Sequence, residues 1–190
     1  MESSFLAMAR LGTRAFTDRM AEATHYTPAL EQVARAIAKR SFCLLATASS
    51  SGRPHVAGVL YQPIGTTLYV NMSRDSRKAR NIADNPYAAV SIPIRRLPLW
   101  APPSTVQFQG RAEILGFDDP EVVGLLDAGG LRKITSHGEL DYPDGCFVRV
   151  TPQHRMTTYG LGMSLLTLVR NPLHAGGTVE LAPHAAGDPR

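Results

Sequence analysis

The stretch "SRDSRKARN", Ser73 to Asn81, sets Arg74, Arg77, Lys78 and Arg80 within one short segment, interleaved with Ser73, Asp75 and Ser76. Like charges at this density repel, so the arrangement points to anion binding. The segment follows an apolar strand pattern and opens a helical one, with Asp75 as the expected N-cap and Ser76, Arg77 and Lys78 in the first turn. Backbone N–H groups are unpaired at such a start, and the dipole is positive there. Cations in that turn oppose the dipole, a cost that a bound phosphate dianion offsets by accepting from backbone N–H, hydroxyl and guanidinium groups together. The competing reading is a solvated basic helix face. Placement favours phosphate: between Val70 and Trp100 six basic residues meet only Asp75 and Asp84, so this window carries the whole net charge of +4.

Other chemistries leave no comparable trace. Neither GxxxxGK[ST] nor GxGxxG occurs, and "GLGM" near Gly160 fails that spacing. There is no paired-carboxylate signature, no nucleophile elbow, and no CxxC or HxxxH metal spacing. No catalytic residue is assigned. Cys43 and Cys146 sit in apolar runs and read as buried free thiols. His55 could bond a cofactor, though a strand histidine merely paired is the commoner case. Tyr61 and Tyr69 read as cross-strand packing. Trp100, Arg95 and Arg96 lie in a Pro-rich loop, where the Trp could stack on a ring and the arginines meet an acidic group. The N-terminus does not read as a signal peptide and no run is long enough to span a membrane, so a soluble, cytoplasmic protein is expected.

The elements that must hold this segment are mostly strands. An N-terminal helical extension (1–36) uses Phe5, Met8, Ala9, Phe16 and Met20; a second helix starts at a Thr27 cap with Pro28 in its first turn. Ser41–Ser49, His55–Tyr61 and Thr67–Met72 then form an antiparallel meander, with turns at "SGRP" and "PIGTT". After the basic helix come "YAAVSIPI", the alternating "TVQFQGRAEI", and a helix capped by Asp119 with Pro120 at its first position. "CFVRVTP" and "HRMTTYGL" read as two late strands, and the chain from Asn171 reads as a loose tail. This pattern of six or so strands with marginal helices implies an α+β, mainly β, small barrel over 37–168, with a tail over 169–190.

Three segments, "LLATASSSGRPHVAGV", "TLYVNMSRDSRKARNIADNPYAAVSI" and "VQFQGRAEIL", resemble the pyridoxamine 5′-phosphate oxidase-like flavin-binding split barrels, which include flavin- and deazaflavin-dependent oxidoreductases. The resemblance covers roughly Ile37 to Thr151 and implies a six-stranded antiparallel split barrel. It makes Ser76, Arg77 and Lys78 the ligands of the cofactor phosphate, with Ser73 and Arg74 nearby. It lays the second strand, including His55 and Val59, along the isoalloxazine ring and ends the third strand beside the ring at Asn71. It also implies a homodimer with the cofactor at the interface, reached by Thr105 and Gln107 of the neighbouring subunit. Where the vitamin B6 oxidase carries a basic residue at the end of the second strand, this chain has Val59, Leu60 and Tyr61, and that enzyme's C-terminal Arg and His motif is absent.

The expected function is therefore an oxidoreductase using FMN, or a deazaflavin coenzyme, to move hydride to or from a small organic substrate. The alternative is a non-catalytic flavin or haem carrier of the same fold. A nucleic-acid-binding barrel ranks last, because basic strands interleaved with stacking aromatics are missing.

Overall fold

The structure, a computed structural model, describes residues 27–95, 101 and 104–181. The expected N-terminal helix, Arg96, Trp100 and the last nine residues lie outside that set. Helix α1 (Pro28–Ala38) begins as its sequence dictates: Thr27 Oγ1 accepts the Leu30 N–H at 3.3 Å and Pro28 fills the first turn. Its stripe of Leu30, Val33 and Ile37 is buried in the main core, each side chain contributing about 1.5–3 kcal/mol as an upper estimate. The buried Tyr61 hydroxyl donates to the Ile37 carbonyl at 2.9 Å and ties the end of this helix to the sheet.

Eight antiparallel strands follow in one curled sheet: β1 (Phe42–Ala48), β2 (Pro54–Leu60), β3 (Gln62–Ile64), β4 (Thr67–Ser73), β5 (Tyr87–Ile94), β6 (Ser104–Leu115), β7 (Gly145–Tyr159) and β8 (Gly176–Glu180). The spatial order is β2-β1-β5-β6-β7-β4-β3, with β8 also on β7. At the two ends of this path β2 comes near β4 without pairing to it, so the sheet is a split rather than a closed barrel. Among the described residues four α-helices flank it: α1, α2 (Arg77–Asp84), α3 (Pro120–Asp127) and α4 (Leu165–Arg170).

The expected six strands become eight for local reasons. Pro63 made "QPI" look like part of a turn, yet an edge strand tolerates a residue without an N–H, and β3 pairs only with β4. "GGTVE" lacks side-chain pattern, but it pairs with Arg155–Tyr159, so the chain from Asn171 is not simply a loose tail. Conversely, the two late strands are one: β7 runs straight through Pro152. On one edge β7 pairs with β4 up to Val150 and with β8 from Arg155, so Pro152 sits in the gap where that edge has no partner. Its other edge follows β6, with a register shift between Phe108 and Gly110. A Cβ at Gly110 would lie 2.6 Å from the Thr151 carbonyl oxygen, so only glycine permits this approach.

The barrel interior is filled by Cys43, Leu45, Val70, Val90, Val106, Val148 and their neighbours. A second cluster forms on the other side of β4 and β7, where Val122 and Leu125 of α3 pack on Tyr69, Leu115 and Phe147. Helix α3 is fixed there by Glu121, which accepts from the Tyr69 hydroxyl and from Arg149; Arg149 also bonds Glu113. Burial and the bond to Glu121 raise the Tyr69 pKa.

Candidate functional site

The basic segment lies where the sequence pattern puts it, between β4 and α2, but its cap differs from expectation. Ser76, not Asp75, is the N-cap: its backbone is extended and its Oγ accepts the Ala79 N–H at 3.3 Å. The reason is the turn before it. Ser76 N–H donates to the Ser73 carbonyl at 3.2 Å, and Asp75 N–H to the Ser73 hydroxyl at 3.1 Å, so Asp75 is spent inside the turn. The first helical turn is therefore Arg77-Lys78-Ala79 with no acidic residue. Helix geometry leaves the N–H groups of Arg77 and Lys78 without an intrahelical acceptor.

Around this start the cations are uncompensated. Among the described residues no ion pair involves Arg74, Arg77, Lys78 or Arg80. Arg77 and Arg80 are exposed and Lys78 is half-buried. Arg74 and Lys78 each bear electrostatically on the buried Cys146 thiol, which donates to the Met72 carbonyl at 3.4 Å. Burial raises the Cys146 pKa, Arg74 and Lys78 pull it down, and Asp144 pushes it up. Asp144 is a participant that no local pattern announced, because it lies 71 residues from Ser73. Its carboxylate accepts the Ser73 hydroxyl, and its carbonyl accepts the Arg74 N–H at 2.8 Å. These bonds clamp the end of β4 to the turn before β7.

Asn71 lies one residue pair above Ser73 on the same face of β4, opposite Phe147. Its side-chain nitrogen is buried and has no hydrogen-bond partner. A buried donor left unpaired is costly. The structure thus gathers Asn71, Ser73, Arg74, Ser76, Arg77 and Lys78 into one locality.

The other expected contacts are placed elsewhere on the protomer. His55 and Val59 lie on β2, at the edge near β4, paired with Thr47 and Cys43 on the inner face. His55 is half-buried and Val59 buried. Thr105 and Gln107 lie on the outer face of β6, opposite Tyr159 and Thr157 of β7. Within one protomer they are not part of the cluster. Sequence reading also passed over Asn81, which is buried on α2 and donates to Thr47 Oγ1 at 3.0 Å, fixing the helix to β1. Its position next to Ile82 on the buried side of α2 was the available signal. Among the described residues no group of His, Cys, Asp or Glu is arranged to hold a metal, and no helix is long and apolar enough to cross a membrane.

A curled antiparallel sheet, split along one seam, with a cationic helix start at the end of β4, defines a split barrel. A profile of the family described as Pyridoxamine 5′-phosphate oxidase matches residues 29–154, and the chain belongs to that family. No curated protein matches it. Among solved structures it is similar to a heme binding protein from Mycobacterium smegmatis (20% identity, TM-score 0.62, 81% of this chain and 58% of that one). It is also similar to HutZ, the heme storage protein from Vibrio cholerae (21% identity, TM-score 0.56, 72% and 96%). A third is an FAD-binding protein from Mesorhizobium loti (22% identity, TM-score 0.54, 70% and 92%). The chain spans little more than half the length of the first of these.

Proposed function

We propose that this protein is a cytoplasmic flavin-dependent oxidoreductase that holds FMN, or a deazaflavin coenzyme, by its phosphate at the start of α2 and acts on a small organic substrate. The observation that carries the reading is a helix start with free N–H groups, no acidic residue in its first turn, and, among the described residues, no ion pair on Arg74, Arg77 or Lys78, in a chain of this family. The residues present fit the cofactor. Arg77, Lys78 and the Ser76 hydroxyl are the donors to the phosphate. Ser73 is committed to Asp144 and shapes the turn instead. Asn71 is taken as a further cofactor contact from the resemblance alone, since its unpaired amide nitrogen is enclosed. The bound flavin supplies hydride chemistry at its own ring, so the protein need only bind, orient and exclude water.

A second subunit completes this reading. The outer face of β1 and β2 presents Phe42, Leu44, Val56 (60% exposed) and Leu60 (55%) as neighbours, with Ala46 and Ala89 continuing it onto β5. A contiguous apolar face of this kind marks an association surface. On the same face of the sheet lie Thr105 and Gln107, and we assign them to the partner's cofactor. The second reading, a flavin or haem carrier without turnover, is favoured by two similar structures described as haem-binding and haem-storage proteins.

The visible spectrum of the purified protein decides. A two-band flavin spectrum or a single deazaflavin band, with turnover of the reduced cofactor by quinones or enones, supports the proposal. A Soret band or a flavin that never turns over selects the carrier. A colourless protein that takes up none of these cofactors refutes both.

A further inference from the structure

Asp144 joins the anion cluster to the second core. It lies in the Tyr142-Pro143-Asp144-Gly145 turn that leads into β7. Pro143 presets φ in that turn, and the Gly145 N–H donates to the Tyr142 carbonyl at 3.0 Å. A Cβ at Gly145 would run into the Phe117 ring, and that ring meets Phe147 edge-on with centroids 5.5 Å apart. The turn is therefore held from the second core and not from α2. From there Asp144 reaches the end of β4 twice: its carboxylate accepts the Ser73 hydroxyl, and its carbonyl accepts the Arg74 N–H at 2.8 Å. With its proton committed to Asp144, the Ser73 oxygen accepts the Asp75 N–H at 3.1 Å, and the Ser73 carbonyl accepts the Ser76 N–H at 3.2 Å. Ser76 is left extended as the cap of α2, ahead of the N–H groups of Arg77 and Lys78 that lack an intrahelical acceptor.

Charge alone gives no reason for an acid at this place. A carboxylate beside a phosphate site opposes the anion, and among the described residues no ion pair includes Asp144. We infer that Asp144 is a positioning residue of the anion site: it does not touch the phosphate, and by bonding Ser73 it presets the β4–α2 turn in the shape that receives one. This inference rests on the phosphate reading proposed above. The site then needs an acceptor from Asp144 and not a charge. A neutral acceptor in its place serves at least as well, and loss of the acceptor loosens the turn and weakens phosphate binding. If Asp144 acted only through its charge, losing the side chain would strengthen phosphate binding, so the two accounts differ in sign.

The test compares Asp144→Asn with Asp144→Ala in the full chain, by titration with FMN and with riboflavin, which lacks the phosphate. Asp144→Ala should weaken FMN at least fivefold and leave riboflavin unchanged. Asp144→Asn keeps a carbonyl acceptor for Ser73 and should keep the FMN affinity or raise it. Hydrogen exchange of the cofactor-free protein gives a second readout: the Asp75 and Ser76 amides should exchange at least fivefold faster in Asp144→Ala than in the wild type, and should stay protected in Asp144→Asn. If Asp144→Ala does not fold, Ser73→Ala removes the same bond from the other side and decides by the same comparison. An FMN affinity in Asp144→Ala at or above that of the wild type, an equal loss in Asp144→Asn, an equal loss for riboflavin, or unaltered exchange would each overturn the positioning role while the phosphate reading stands. A wild-type protein that binds FMN no more tightly than riboflavin overturns the phosphate reading and this role with it.

Discussion

Replacing Lys78 by Ala sets two effects against each other, and their signs can be worked out from the structure. Lys78 is half-buried in the first turn of α2. If it donates to a cofactor phosphate, its loss removes a charge-assisted bond of about 1.5–3 kcal/mol. At 1.4 kcal/mol per decade, FMN affinity should fall about 10- to 140-fold. Arg77 is exposed, so its contribution is screened to about 0.2–1 kcal/mol, a loss of only about 1.4- to 5-fold. Without cofactor the sign reverses. Lys78 lies in the first turn of α2 beside the positive dipole end, and among the described residues it forms no ion pair with a carboxylate. Removing it should stabilise the apo protein by about 0.3–1 kcal/mol. Flavin fluorescence titration gives the first quantity and thermal denaturation of apo protein the second. Riboflavin, which has no phosphate, is the control: its affinity should not change in the variant. An FMN loss below threefold, an equal loss for riboflavin, or a lower apo Tm would each refute the phosphate assignment.

Three further outcomes follow from packing and burial. Val56→Asp, on the apolar outer face, should turn a dimer into a monomer by size exclusion and release cofactor with it; a dimer that persists would move the interface elsewhere. Gly110→Ala drives a methyl group to within 2.6 Å of the Thr151 carbonyl, so it should cost about 1–3 kcal/mol by thermal denaturation, and an unchanged Tm would contradict the register described. Stability should fall above pH 9. Burial pushes the Cys43 thiol up to about 12 from 9.0. A raised folded pKa leaves stability fully present below the unfolded pKa and removes it as pH rises toward the folded one, by about 1.4 kcal/mol per pH unit. Tyr69 and Cys146 are raised as well, so Cys43→Ala should lessen rather than abolish the fall between pH 9 and 12, and an unaltered slope would show that this thiol does not contribute to it.

Local pattern alone determined a good part of this protein. Alternation in "TVQFQGRAEI" marked β6, because one face meets the core and the other does not. Thr27-Pro28 and Asp119-Pro120 marked two helix starts, because a capping oxygen and a preset φ act within one turn. The density of cations at 74–80 marked the candidate anion site, because like charges that close require an explanation wherever the chain goes. Contacts far apart in the chain were decided only by the tertiary structure. Asp144 claims the Ser73 hydroxyl and shifts the helix cap to Ser76, and no spacing in the sequence announces a partner 71 residues away. Asn81 is held by Thr47, and the end of α1 by Tyr61, through single hydrogen bonds between separate elements. The strands β3 and β8 are too short and too rich in Pro or Gly to show a pattern, and they exist because a neighbour supplies the ladder. The orphaned nitrogens of Asn71 and Arg40 are also tertiary facts, since a polar atom is unpaired only with respect to everything folded around it.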